Sequence, residues 1–276
     1  MASDRAGDDW FGISVGITSD GSRVVVGANG QDGGVSDAGA AYIFLRSGTS
    51  WAQEAKIVAS NRADDDLFGR SVSISSDGSR VVVGAHGQDG GLVNAGAAYI
   101  FLRTDSSWTQ EAKLLATDRA DDDWFGYSVS ISSDGSRVVI GALFQDGGVS
   151  NTGAAYIFLR SDTTWAQEAK LLASDRADDG DDRFGRSVSI SSDGSRVVVG
   201  AYRHSGGLVN AGAAYIFLRT DSIWTQEAKL LASDRATNDW FGWSVSISSD
   251  DSRVVVGTYA EYRGVTDAGA AYIYDL

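Results

Sequence analysis

Phe125-Gly126-Tyr127-Ser128-Val129-Ser130-Ile131-Ser132 alternates apolar and small polar residues, the period-two pattern of a half-buried β-strand. Ser133-Asp134-Gly135-Ser136 comes next, with an Asp side chain that bonds its own backbone and a Gly free to take positive φ, the residues of a tight hairpin. Arg137-Val138-Val139-Ile140-Gly141-Ala142 is β-branched and apolar on both faces, as in a strand covered on both sides. A glycine-rich loop (143–153) leads to Ala154-Ala155-Tyr156-Ile157-Phe158-Leu159-Arg160, a third strand, and a short turn (161–164) leads to a segment over 165–173. The Ala, Gln, Glu, Lys and Leu of this last segment also suit a helix, but nine residues make a marginal one. As a strand it completes a four-stranded antiparallel meander. An acidic connector (174–183) then reaches the next Phe-Gly.

That unit recurs. Phe-Gly stands at Phe11, Phe68, Phe125, Phe184 and Phe241, at spacings of 57, 57, 59 and 57 residues, which sets repeats at about 4–60, 61–117, 118–174, 175–233 and 234–276. A fixed period of this size marks an array of units, each too small to bury its own apolar face. Four-stranded meanders with both faces covered by neighbours predict an all-β fold, a five-bladed β-propeller in one domain over 1–276. Val15, Ile17, Val24, Val26, Ile43 and their counterparts are expected between blades, and Gly39-Ala40-Ala41 where sheets converge. The fourth strand occurs only four times, at Trp51, Trp108, Trp165 and Trp224, so the last blade lacks its outer strand within the chain. Either that blade has three strands or its open edge pairs with another chain, a route to self-association. The chain opens mid-repeat, as a piece of a longer array would. Repeats two and four share Gly-Leu-Val-Asn-Ala-Gly, repeats one and three share Gly-Val-Ser, and the fifth follows the odd type, so a two-blade unit is inferred to have been amplified.

Composition excludes several classes. Among 276 residues are 32 Asp, 5 Glu, 19 Arg and 4 Lys, for a formal charge of −14. So acidic a chain repels phosphate backbones and anionic bilayers, and nucleic-acid binding is not expected. Many Asp and few Lys also suit a saline setting. There is no cysteine, hence no disulfide and no thiolate metal site. No apolar run is long enough to cross a membrane and the first residues do not read as a signal peptide, so no membrane insertion is expected.

Where the copies differ, they differ in one set of loops. After Phe-Gly stand Ile13, Arg70, Tyr127, Arg186 and Trp243, and before it Trp10, Leu67, Trp124, Arg183 and Trp240. The loop between the second and third strands carries His86, Phe144, Tyr202, His204, Tyr259 and Tyr262. With the first strand innermost, this loop and the acidic connector share one face. Variation rich in Trp, Tyr and Arg on one face is the composition of a binding surface. The ligand-binding candidates are therefore Trp10, Ile13, Arg70, His86, Trp124, Tyr127, Phe144, Arg186, Tyr202, His204, Trp240, Trp243, Tyr259 and Tyr262. A protein partner is the first reading; a glycan stacked on the aromatic rings is the second. The acidic clusters read first as a solvated rim, since two exposed carboxylates ~6 Å apart repel by only about 0.7 kcal/mol. The exception is Asp178, Asp179, Asp181 and Asp182, where the two-residue insertion gathers enough carboxylates for a weak metal candidate.

Catalytic patterns are thin. His86 and His204 occupy non-equivalent positions and cannot alone furnish a zinc site. Gly12-Ile13-Ser14-Val15-Gly16 matches a nucleophile elbow in form only, because the other copies lack the second glycine and no helix pattern follows. Glu54, Glu111, Glu168 and Glu227 recur in register, which marks a structural position, and no asymmetric carboxylate pair stands out.

Phe-Gly-x-Ser-Val-x-Ile, Val-Val-Gly-Ala, Gly-Ala-Ala-Tyr-Ile-Phe and Trp-x-Gln-Glu-Ala-Lys-Leu-x-Ala-Ser-Asp together resemble the FG-GAP repeat, in its integrin-α-like form, across all five copies. The resemblance implies a propeller, an extracellular or cell-surface setting and no enzymatic activity. Two departures stand out. The proline that the family carries after Gly-Ala is absent, with Asn29, His86, Leu143 and Tyr202 in its place. The family's calcium loop, Asp-x-Asp-x-Asp-Gly, is replaced by Ser19-Asp20-Gly21-Ser22 and its copies. One carboxylate per turn cannot supply the six to eight oxygens calcium takes, so no cofactor, calcium included, is carried over.

Overall fold

The computed structural model describes residues 2–146, 151–176, 181–260 and 268–276, and it is all-β. Blade one is β1 Ser14–Ile17, β2 Arg23–Ala28, β3 Ala40–Ser47 and β4 Ser50–Ile57. Blade two is β5 Ser71–Ile74, β6 Arg80–Ala85, β7 Ala97–Thr104 and β8 Ser107–Leu114; blade three is β9 Phe125–Ile131, β10 Arg137–Ala142, β11 Ala154–Ser161 and β12 Thr164–Leu171. Blade four is β13 Phe184–Ile190, β14 Arg196–Ala201, β15 Ala213–Thr220 and β16 Ile223–Leu230; blade five is β17 Phe241–Ile247, β18 Arg253–Thr258 and β19 Ala270–Asp275. Each blade is an antiparallel meander, four-stranded in blades one to four and three-stranded in blade five, arranged as a five-bladed β-propeller. The segments that could have been helical are the outer strands. Their apolar residues alternate against the neighbouring strand, and that pairing outweighs helix propensity.

Two irregularities recur and place the side chains that matter. On the innermost strand of blade three, Phe125 pairs with Ala142 and Ser128 with Gly141, so Gly126 and Tyr127 form a bulge. On the outer strand, Phe158 pairs with Gln167 and Ile157 with Ala169, leaving Glu168 as the extra residue. Bulges re-aim side chains out of the regular alternation. The first swings Tyr127 and its counterparts toward the propeller axis. The second turns Glu168 toward the next blade, where it accepts hydrogen bonds from Arg137 of its own sheet and from Arg219 and Trp224 of blade four. Glu54 and Glu111 do the same across their own interfaces.

The core lies between blades. Val82, Ile100 and Leu114 of blade two pack against Phe125, Val129, Ile131, Val138 and Ile140 of blade three, and Phe125 meets the edges of Tyr156 and Phe158 at 5.4 and 5.9 Å. Backbone touches backbone at the tightest point. A Cβ on Gly141 would stand 2.0 Å from the Gly185 carbonyl oxygen, and Gly185, at φ +90°, would itself meet the Ala154 carbonyl. No side chain fits either place. Ser128 donates to that Gly185 carbonyl at 2.8 Å, and Ser14 and Ser187 act likewise, so the serine of the elbow-like motif is an inter-blade clamp.

This interface occurs four times, with Phe68, Phe125, Phe184 and Phe241 each bridged to a glycine of the preceding blade. Among the described residues it is not formed between blades five and one. Gly12 would meet nothing within 4 Å, and Gly257 only its own Ser244. Val15 and Ile17, expected between blades, are 67% and 60% exposed, whereas their counterparts Val72 and Ile74 are 7% and 8% exposed. The pattern is the same; what differs is that, among the described residues, no blade packs on that side of blade one. On the opposite end, Ile273 of β19 is 68% exposed while its counterpart Ile216 is 1% exposed.

Candidate functional site at the axial mouth

The residue before Phe-Gly holds a left-handed conformation in every blade: Trp10, Leu67, Trp124, Arg183 and Trp240 have φ between 53° and 59°. In blades two to five its amide donates to a carbonyl of the preceding blade's loop, as from Trp124 to Asn94 and from Trp240 to Asn210. Its carbonyl then accepts from the amide of the residue after Phe-Gly, for example Tyr127 to Trp124 at 3.2 Å and Trp243 to Trp240 at 3.2 Å. The two most variable positions of the repeat are thus the ends of one tight turn, and their side chains stand together. Trp124 stacks with Tyr127, and Trp240 with Trp243, at 6.1 and 5.7 Å between ring centroids.

At the axis these turns converge. Ile13, Arg70, Tyr127, Arg186 and Trp243, with the serine beside each, line a mouth of about 290 Å³. Arg186 lies over Trp243 at 4.0 Å and over Tyr127 at 5.1 Å. Arg70 lies over the same Tyr127 ring at 4.5 Å and donates to its hydroxyl at 2.8 Å. Burial lowers the Arg186 pKa from the usual guanidinium value, with the Arg70 charge adding to it. Among the described residues neither guanidinium is paired with a carboxylate.

Two aromatic clusters flank the mouth. On one side Trp124 meets Phe144 edge-on at 4.4 Å, and Arg183 covers Phe144 at 3.7 Å. On the other, Tyr202 meets Trp240 and Trp243 edge-on, and both tryptophans stack with Tyr259, Trp243 at 4.8 Å. Arg186 joins the clusters, touching a ring of each. Trp10 stands apart at the rim of blade one, exposed beside Arg5 and Asp8.

Two candidates are corrected. His86 is buried beneath Trp124 and Tyr127, at 5.1 and 5.3 Å between ring centroids, and supports those rings rather than facing solvent. Burial and the Arg70 charge push its imidazole down to about 3, so it is neutral. His204 takes the position held by Gln31, Gln88 and Gln145, buried under its loop, with Nδ1 3.1 Å from Asp182 and Nε2 2.7 Å from Lys229. It ties the loop to blade four. Aligning from the Val-Gly-Ala motif puts His204 under those glutamines, and that signal was in the sequence.

The acidic connectors also divide. The last carboxylate of each, Asp66, Asp123 and Asp239, is buried and accepts the amide three residues back. Burial raises Asp123 to about 6. Of the weak metal candidates, Asp182 is committed to His204 and Asp181 to Arg183 and Arg203. Asp178 and Asp179, like Tyr262, lie outside the described residues. The described residues hold no group of three or more His, Asp or Glu arranged to take a metal ion.

The sequence matches the FG-GAP repeat over residues 1–44, 51–101, 108–158, 165–217 and 224–274. The chain belongs to the FG-GAP repeat family. No curated protein matches this FG-GAP chain. Among solved structures it is similar to Kuenenia stuttgartiensis hydrazine synthase (TM-score 0.58, 11% identity, 99% of this chain and 64% of that one). It is also similar to the periplasmic gluconolactonase of Pseudomonas aeruginosa (TM-score 0.61, 14% identity, 93% and 66%). The FG-GAP chain spans just under two thirds of the length of either, and identities this low speak for the fold alone. They do overturn one expectation. Both neighbours bear the names of enzymes, so the earlier reading of this chain as non-enzymatic does not follow from a propeller of this shape.

Proposed function

We propose that the protein is a recognition module that seats an acidic group of a protein partner in the axial mouth. The carrying observation is the pair Arg70 and Arg186, two part-buried guanidiniums on the faces of Tyr127 and Trp243 with no carboxylate partner among the described residues, in a chain whose formal charge is −14. Stacking fixes each fork; Arg70 uses one end of its fork on the Tyr127 hydroxyl, and the remaining N–H groups can donate to an incoming carboxylate, in the charge-assisted bonds that are the strong ones. Trp, Tyr and Arg are also the residues that dominate binding energy at protein interfaces.

The rim favours a protein over a polyanion. Exposed carboxylates of the connectors, Asp8, Asp65 and Asp122 among them, share this face with the mouth. A long acidic saccharide would be drawn by the centre and repelled by the rim. A protein surface can offer one carboxylate ringed by Lys and Arg and so match both. A glycan remains the second reading, carried by Trp240, Trp243 and Tyr259, whose stacked and partly exposed rings form a platform on which a sugar can lie.

Intrinsic tryptophan fluorescence tests this, because Trp243 touches Arg186. Titration with a peptide holding one Glu among Lys and Arg should shift the emission, whereas an all-basic peptide and an oligouronate should not. Arg70→Gln with Arg186→Gln should weaken binding by about tenfold or more. Equal response to the all-basic peptide would refute the role given to the guanidiniums, and response to the oligouronate alone would favour the glycan.

A further inference from the structure

The free polar groups of the axial mouth are donors. Arg186 lies over Trp243 and Tyr127, and its N–H groups project in the guanidinium plane, clear of the stacked face. Arg70 gives one N–H to the Tyr127 hydroxyl at 2.8 Å, and that hydroxyl, having accepted, keeps its own hydrogen to give. The Ser71 hydroxyl accepts from the Val129 amide at 3.0 Å and likewise keeps its hydrogen. Ser128 and Ser187 are spent on the carbonyls of Gly185 and Gly242. No carboxylate is among the described residues that line the mouth.

Two cationic charges share this space. Arg70 and Arg186 lie on one ring, that of Tyr127, so a single anion can reach both. A carboxylate brings one charge and two oxygens, which the Arg186 fork alone can occupy in a bidentate pair. Arg70 would then stay unneutralised in a part-buried site, a costly state. A phosphate monoester brings about two negative charges and three terminal oxygens. It can fill the Arg186 fork and still accept from the remaining N–H groups of Arg70 and from the Tyr127 hydroxyl.

We propose that the group seated in the mouth is the phosphoryl group of a phosphorylated serine or threonine on a basic segment of the partner. This rests on the reading of the mouth as a seat for an acidic group and names that group. Tyr127 and Trp243 already carry guanidiniums on their faces, which favours a short side chain over an aromatic one. Beside the mouth, Asp122 and Trp124 line a hollow of about 230 Å³, a carboxylate and an aromatic ring that together suit a Lys or Arg of the same segment. Free phosphate has nothing to place there. A phospholipid surface would be repelled by a chain of charge −14.

The test is tryptophan fluorescence titration with three peptides, alike in their Lys and Arg and differing at one residue: phosphoserine, Glu or Ser. The phosphoserine peptide should bind about tenfold or more tightly than the Glu peptide, and the Ser peptide should not respond. Inorganic phosphate should displace the phosphoserine peptide, but only at much higher concentration. Arg70→Gln should bring the phosphoserine peptide down to the affinity of the Glu peptide, and Arg70→Lys, which keeps the charge, should restore part of the difference. Equal or tighter binding of the Glu peptide overturns the proposal and leaves the broader reading of the mouth standing. No response to either acidic peptide overturns both. Tighter binding to phosphatidylcholine vesicles carrying phosphatidylserine, or inorganic phosphate binding as tightly as the peptide, overturns the assignment to a protein segment.

Discussion

At the residue scale, glycines decide how close the blades come. Gly141 lies where a methyl group would strike the Gly185 carbonyl, a backbone atom that cannot step aside. Gly141→Ala should therefore cost about 1–3 kcal/mol or more in urea denaturation. Gly257→Ala, at the same strand position but facing only the mobile Ser244 hydroxyl, should be close to neutral. Asp123 gives a second test. Burial raises its pKa to about 6, above its ordinary value near 3.8, so the folded state holds the proton more tightly. Its stabilising contribution is complete below about pH 4 and is lost as pH rises toward 6 and beyond. Asp123→Asn, which keeps an acceptor for the Ala120 amide, should be more stable than wild type at pH 7 by a margin that shrinks as pH falls through that window. The variable residues around Phe-Gly were legible as departures from the repeat, and the turn that stacks Trp124 on Tyr127 brings them together. His204 could be aligned with Gln31, Gln88 and Gln145, but that this position, like that of His86, is buried was not legible, because burial there depends on where a neighbouring loop passes.

At the element scale, the outer strands of blades one to three each carry a bulged glutamate that holds two blades. The recurrence of Glu54, Glu111, Glu168 and Glu227 was visible in the sequence, but the bulge was not, since it exists only in the pairing register between two strands. Glu111 accepts from Arg80, Arg160 and Trp165 and its side chain is nearly buried, whereas Glu227 among the described residues is bonded to Arg196 alone and is well exposed. Glu111→Ala leaves two guanidiniums without their partner and should lower stability by about 3 kcal/mol. Glu227→Ala should cost about 1 kcal/mol or less. Comparable losses in the two, measured by the same denaturant titration, would mean that the inter-blade bonds contribute little. The fourth strand itself was legible from the meander, although its residues favour a helix; tertiary pairing decides such a segment, and propensity alone does not.

At the scale of the whole molecule, the charges set the response to acid and salt. Asp118, Asp175, Glu111 and Glu168 are held below their ordinary pKa values by Lys and Arg partners, against the opposing effect of burial. The stability they supply is present above the ordinary carboxylate range and lost as pH falls through it. The melting temperature should therefore drop steeply below about pH 4, and at neutral pH it should rise with added salt as the net charge of −14 is screened. A melting temperature that falls with salt would show that attractive pairs outweigh the net repulsion. The architecture was readable because five copies say the same thing. The uncovered faces of blades one and five were not, because nothing in a repeated sequence says whether its ends meet. Lastly, the backbone seats at Gly141 and Gly185 have a consequence for how such a molecule can change. Blade spacing at these seats is set by main-chain atoms and not by the five side chains at the mouth. Positions 13, 70, 127, 186 and 243 can then be rewritten together, by selection or in a designed library, to fit new ligands on an unaltered frame.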